Sequence, residues 1–206
     1  MKAHALAILL LSFSVIPCQG EPRLTAEGEP IKAPRIERPD AAVDSTRGWH
    51  LVNDGSFEFG ECGVYSDWTC TTNTTCSWIV DPLPTWGYPA YEGELVAWLG
   101  GFCGGANSNS FCQDIYLWTP HIRWHWMGYV GETNMSNFVY VKLNGAIVWA
   151  KEMVWPEDHT FGTWVTEEIT WDWDYMDDPP GLYHLCFEFD ASSGANMLID
   201  YIEVYY

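Results

Sequence analysis

From Trp49 to Tyr206 apolar and polar residues alternate at period two, broken by turn residues at roughly 8–15-residue intervals. Such alternation sends successive side chains to opposite faces of a pleated strand, and it leaves little room for helix. Strands are expected near 49–58, 64–70, 76–80, 94–99, 111–118, 121–130, 137–143, 146–150, 162–173, 182–190 and 197–205. Asn144-Gly145, set between two apolar runs, marks a hairpin, because a type I′ turn needs positive φ at both central residues. No window carries an amphipathic helix with caps. Many short strands without helices predict an all-β antiparallel sandwich or barrel.

Composition sets the boundary of this region. Residues 21–47 hold four Pro, no aromatic residue and 11 charges of mixed sign, which is a linker with no means of packing a core. All 13 Trp lie beyond residue 47. The 28 acids of the chain less the six in the linker leave 22 in 48–206, against Arg123, Lys142 and Lys151, so the domain carries 3 − 22 = −19. A surface so poor in Lys and Arg excludes nucleic acid and anionic membrane as partners.

Lys2, the apolar run Ala5–Ile16 and Pro17-Cys18-Gln19-Gly20 have the layout of a secretory signal peptide, residues 1–20, in a chain destined for the extracellular space. The alternative is a lipid anchor on Cys18, although Pro17 stands where such signals place a small residue. No other apolar segment is long enough to span a bilayer. Export implies an oxidising compartment, where Cys62, Cys70, Cys76, Cys103, Cys112 and Cys186 read as three disulfides. Cys70–Cys76 and Cys103–Cys112 each flank a polar turn and suit local closure, the second better than the first. A zinc site is the competing use of cysteine, but paired CxxC spacings are lacking.

Three stretches resemble carbohydrate-binding modules of the family 4 and 9 type, which belong to the galactose-binding-like jelly rolls. The opening Leu51-Val52-Asn53-Asp54-Gly55-Ser56-Phe57-Glu58, followed by Trp68, is similar to the start of those modules. Glu92-Gly93-Glu94-Leu95-Val96-Ala97-Trp98-Leu99-Gly100-Gly101 with Cys112-Gln113-Asp114-Ile115 matches their middle, and Ile199-Asp200-Tyr201-Ile202-Glu203-Val204 their closing strand. The resemblance spans 49–206 and implies an antiparallel two-sheet β-sandwich of the jelly-roll type that binds carbohydrate. It also implies a structural Ca²⁺ held by Glu58, Glu92 and Asp200 with the backbone carbonyls of Ser56 and Leu95. Oxygen ligands of that kind suit a hard cation.

The resemblance further implies that strands near 121–127, 138–143 and 182–189 share one sheet whose outer surface forms a sugar groove. Alternation would then put Arg123, His125, Tyr140, Lys142, His184 and Glu188 on that surface, combining rings that stack on sugar C–H faces with groups that grip hydroxyls. The plainer reading of the same residues is the wet side of an antiparallel sheet. Trp78 and Trp86 flank a Pro-rich loop as candidate rim residues, and Trp171, Trp173 and Tyr175 form a stripe that reads as core.

Catalytic signatures are missing. His121 and His125, four residues apart on a strand, would stand roughly 13 Å apart, too far to share an ion. The acids of 172–178 lack the Gly and spacing of an EF-hand loop. There is no G-x-S-x-G, Cys–His signature or P-loop. The expectation is a non-catalytic secreted module for carbohydrate, or alternatively an adhesion module that contacts protein without a sugar site.

Overall fold

Among the described residues the alternating segments form eleven strands in two antiparallel sheets. The computed structural model describes residues 48–60, 62–63, 66–72, 79–100, 107–130, 136–171, 180–191 and 195–206. The expected signal segment 1–20 and linker 21–47 lie outside the described residues, as do Trp78, Trp173, Tyr175 and the side chain of Trp86. In chain order the elements are β1 Trp49–Leu51, β2 Thr69–Thr72, β3 Ile79–Val80, α1 Pro82–Trp86, β4 Val96–Gly100 and β5 Asn107–Leu117. They continue with β6 His121–Tyr129, β7 Asn137–Leu143, β8 Ala146–Glu152, β9 Val165–Thr170, β10 Gly181–Ala191 and β11 Asn196–Tyr205.

One sheet has the order β3-β4-β11-β6-β9, with β1 also pairing β11, and the other β2-β5-β10-β7-β8. Between β4 and β7, and again from β8 to β11, the chain changes sheet at each step, the crossing pattern of a jelly roll. The Asn144-Gly145 hairpin joins β7 to β8, with φ of 48° and 83° at the two turn residues.

Alternation assigns the inner faces correctly. Ile122, Trp124 and Trp126 of β6, Val139, Val141 and Leu143 of β7, and Tyr183, Leu185, Phe187 and Phe189 of β10 all enter one core. Aromatic rings run through it: Phe111 stacks on Phe187 at 5.0 Å, Trp68 meets Phe111 at 5.0 Å, and Trp124 meets Phe187 at 5.3 Å. Each such pair contributes about 0.5–1.5 kcal/mol beyond area burial. A second, smaller cluster of Val96, Trp98, Met127 and Leu198 lies on the outer side of the six-stranded sheet, where Tyr88, Phe161 and Trp164 from the loops cover it.

Three sequence expectations change. Strand 49–58 ends at Leu51, because Asp54 and Phe57 take positive φ (49° and 59°) and turn the chain. Gly55 is required inside that turn, since a Cβ there would stand 2.6 Å from the Ile202 carbonyl oxygen. A five-residue helix, α1, forms without amphipathic periodicity: the Asp81 side chain accepts from Leu83 N, Pro82 opens it and Gly87 closes it at φ 79°.

The third change concerns cysteine. Cys112 is joined to Cys186, directly opposite it in the β5–β10 register, with Cα atoms 4.2 Å apart. Cys62 is joined to Cys70, Cα–Cα 5.8 Å. Local closure of Cys103–Cys112 and of Cys70–Cys76 is therefore overturned. Cys112 sits in mid-strand, where its neighbour is set by sheet register rather than by the loop before it. Cys76 and Cys103 lie outside the described residues.

Candidate functional site

The outer surface of the five-stranded sheet collects side chains from three adjacent long strands. From β5 come Ser110, Cys112, Asp114 and Tyr116, with Trp118 just beyond; from β10 come Leu182, His184, Cys186 and Glu188; from β7 come Phe138, Tyr140 and Lys142. The centre is polar and paired. Lys142 Nζ donates to Glu188 Oε2 at 2.5 Å and lies 5.7 Å from the Tyr140 ring centroid. His184 Nδ1 stands 2.8 Å from Asp114 Oδ1. Rings occupy both ends: Tyr116 and Trp118 are 43% and 44% exposed with centroids 4.9 Å apart, and Phe138 lies nearly parallel to Tyr140 at 6.0 Å. Leu182, 66% exposed, sits opposite Tyr116.

Four of the six expected ligand-binding residues, Tyr140, Lys142, His184 and Glu188, thus share a face. Arg123 and His125 do not. After β5 the chain crosses at Pro120 and β6 joins the six-stranded sheet, so both project from the opposite side of the sandwich. Period two reveals which side of its own strand a residue takes, but not which sheet that strand enters. Arg123 is committed to Glu203 through Nε (2.8 Å) and a terminal nitrogen (2.6 Å), and it stacks 4.2 Å over Trp49. His125 is buried under Tyr91, rings parallel at 3.6 Å, and its Nδ1 pairs with Thr166 Oγ1 at 3.0 Å. Burial first, and Arg123 second, pull its pKa down to about 4. Tyr116 and Trp118 were absent from the sequence-derived set; their i, i+2 spacing on a long strand was the available signal.

Of the residues expected to hold calcium, Glu58, the backbone of Glu92 and Leu95, and Asp200 come together at one corner, where β11 changes neighbours from β4 to β1. A bulge at Tyr201 (φ 52°) interrupts the register there between Asp200 and Glu203. Asp200 is fully buried; its Oδ2 accepts from Glu92 N at 3.0 Å and its Oδ1 from Tyr201 N at 2.7 Å. Glu58 Oε1 accepts from Glu94 N and Leu95 N at 2.8 and 2.7 Å. The backbone rather than the exposed carboxylate of Glu92 makes the contact to Asp200. Beside them the buried Asp54 accepts from Ser66 Oγ and from Phe59 N.

Burial pushes the Asp200 carboxyl up to about 8 and that of Asp54 up to about 6, and Glu58 adds to both. The charged groups acting on these two carboxyls are themselves acids, so the corner concentrates hard oxygen donors without a counter-charge. Hard oxygens of this kind are those Ca²⁺ takes, and such an ion would lower the cost of ionising them.

The motifs that carry the family resemblance prove to be the braces of this corner and its sheet. Gln113 Nε2 donates to Asn53 O, Trp68 Nε1 to Asp54 O, and Trp98 Nε1 to Asn196 Oδ1. No family model matches the chain, and no curated relative does. Among solved structures the chain is similar to the K2 cleaved adhesin domain of Lys-gingipain, with a TM-score of 0.51 at 10% identity over 77% of this chain and 99% of that one. A family 61 carbohydrate-binding module in complex with β-1,4-galactotriose matches with a TM-score of 0.47 at 18% identity, over 72% and 92% of the two chains. A CBM22-1 xylan-binding domain from Paenibacillus barcinonensis matches at 0.40 and 14%, over 76% and 90%. At 10% identity the likeness to the adhesin domain shows a shared fold alone. Among the described residues no helix is long and apolar enough to cross a membrane.

Proposed function

We propose that the domain is a secreted, non-catalytic carbohydrate-binding module whose site is the outer face of β5, β10 and β7. The observation that carries this reading is the arrangement of that face, with exposed Tyr116 and Trp118 at one end, Tyr140 at the other, and the pairs Asp114–His184 and Lys142–Glu188 between them. Flat rings take up the C–H faces of sugars, and the carboxylates, imidazole and ammonium between them exchange hydrogen bonds with hydroxyls. The pairs hold these groups in place before a ligand arrives, which lowers the ordering cost of binding. Ca²⁺ at the Glu58–Asp200 corner, with Glu92 and the carbonyls of Ser56 and Leu95, would fasten β1 and β4 to β11 and take no part in sugar contact.

The test is a glycan array with wild type, Tyr140→Ala and Trp118→Ala. Wild type is expected to bind a subset of glycans, and each variant to lose at least about tenfold, or 1.4 kcal/mol, without a change in melting temperature. No binding by wild type refutes the reading. A second reading, an extracellular adhesion module that contacts protein, draws on exposed Leu182 beside Tyr116 and Trp118. It is supported if the same face mediates protein capture while glycans fail to compete.

A further inference from the structure

The same face holds a second feature that does not depend on sugar binding. Among the described residues, Cys112, Cys186 and His184 bring one ligand atom each, two sulfurs and a ring nitrogen, to within 4.8 Å of one another. The three meet only through register. Cys112 opposes Cys186, and one row along the same face Asp114 opposes His184. Asp114 also supplies the carboxylate that bonds the imidazole at Nδ1, 2.8 Å away. Metal-bound histidines carry this kind of partner on their second nitrogen, where it fixes ring orientation and raises basicity. His184 and Asp114 are exposed, so an ion reaches the group from solvent.

We propose that the Cys112–Cys186 disulfide masks a metal site: once reduced, the two thiolates and His184 bind a zinc-class divalent ion on the outer face of the sheet. Reduction by a low-molecular-weight thiol is balanced, since two thiols become one new disulfide while Cys112 and Cys186 each gain a proton and share two electrons. Metal binding then displaces both protons, leaving two thiolates and one neutral imidazole with a fourth position open to water. Tetrahedral zinc with Zn–S of about 2.3 Å sets two sulfurs roughly 3.8 Å apart, which side-chain rotation on opposed positions can supply. Thiolate and imidazole ligands select zinc-like ions over calcium, so this site and the oxygen-lined corner do not compete for the same ion. Asp114 favours a cation at this spot, while the ammonium of Lys142, opposite Cys186, is neutralised by Glu188.

The experiment uses the full chain with Co²⁺ as the probe, with and without a phosphine reductant, followed by absorbance and by near-ultraviolet circular dichroism. Reduced wild type is expected to show thiolate-to-cobalt charge transfer and tetrahedral bands that Zn²⁺ abolishes, with its tryptophan dichroism retained; the oxidised protein shows neither band. Cys112→Ser/Cys186→Ser should lose the bands even though Cys62, Cys70, Cys76 and Cys103 remain. Asp114→Asn should weaken cobalt binding about 10–100-fold, and His184→Ala by more. Both variants keep the disulfide and so report on folded protein before reduction. The proposal is overturned by bands that persist in the double serine variant, by unchanged affinity in His184→Ala, or by loss of tryptophan dichroism on reduction in the presence of metal.

Discussion

Replacing each disulfide in turn by an alanine pair separates a long-range constraint from a short one. Cys112 and Cys186 are 74 residues apart in sequence, and Cys62 and Cys70 only eight. If a cross-link acts by removing loop-closure entropy from the unfolded chain, the longer bridge contributes about 4.5 kcal/mol and the shorter about 2.5 kcal/mol at 25 °C. The two loops do not overlap, so the costs should add within a few tenths of a kcal/mol. For a domain of this size, 1 kcal/mol moves the melting temperature by about 2–4 °C, which makes the expected losses roughly 9–18 °C and 5–10 °C. Urea unfolding of the wild type, C112A/C186A, C62A/C70A and the quadruple variant measures both the free energies and the slopes. The slope should rise more for C112A/C186A, because its unfolded chain becomes more expanded. An equal or larger loss in C62A/C70A would refute the entropic reasoning and point to native-state packing at the Cys62–Cys70 turn instead.

Calcium at saturation near 100 times its Kd should stabilise by about 2.7 kcal/mol, with a smaller response in Asp200→Asn; calorimetric melts that coincide with and without EDTA would exclude the ion. His125, whose folded pKa lies near 4 against 6.5 for a free imidazole, contributes stability that is full above pH 6.5 and lost as the pH falls through 4. Asp54 and Asp200, raised to about 6 and about 8, act with the opposite sign and withdraw stability as the pH rises through those values. Comparing wild type with His125→Phe in EDTA isolates the histidine: wild type should lose ground on the variant between pH 6.5 and 4, and a constant difference would show that the ring protonates freely in the fold. Gly93→Ala should disrupt the Glu58–Asp200 corner, because φ is 68° and the new methyl group would meet the Glu58 carboxyl; native-like melting in that variant would contradict the close approach.

Much of the fold was legible because burial imposes strict alternation on strands with one face in the core. Phe187 and Phe189 flank Glu188, and Val139 and Val141 flank Tyr140, so each strand declares its inner side. Alternation carries no information about strand neighbours. Arg123 obeys the pattern as well as Lys142 does, yet the crossover before β6 sends it to the other sheet. The cysteine pairing failed for the same reason: Cys112 and Cys186 meet through a register that two strands 74 residues apart do not announce. Helix α1 escaped because its signals are end signals, Asp81, Pro82 and Gly87, with too few residues between them for a period to develop.

Charge shows how sequence and structure constrain the site together. The 48–206 region has three Lys and Arg for 22 acids, and each cation is placed against an acid: Arg123 on Glu203, Lys142 on Glu188, Lys151 on Asp158. Each of the three is thus neutralised where it stands, and the cation that does reach the outer sheet face, Lys142, is answered there by Glu188. A sulfated or uronic glycan would have to displace Glu188 to reach Lys142 and would still face Asp114. A neutral glycan needs no such exchange, because hydroxyls accept from Lys142 and donate to Glu188 while the pair stays intact. Among the described residues the same scarcity of cations leaves Asp54, Glu58 and Asp200 supported by backbone and hydroxyl donors, and a bound metal ion would offset the charge of that corner. On the proposed reading one physical cause, the scarcity of cations in 48–206, would favour neutral sugars at one surface and a hard cation at the other.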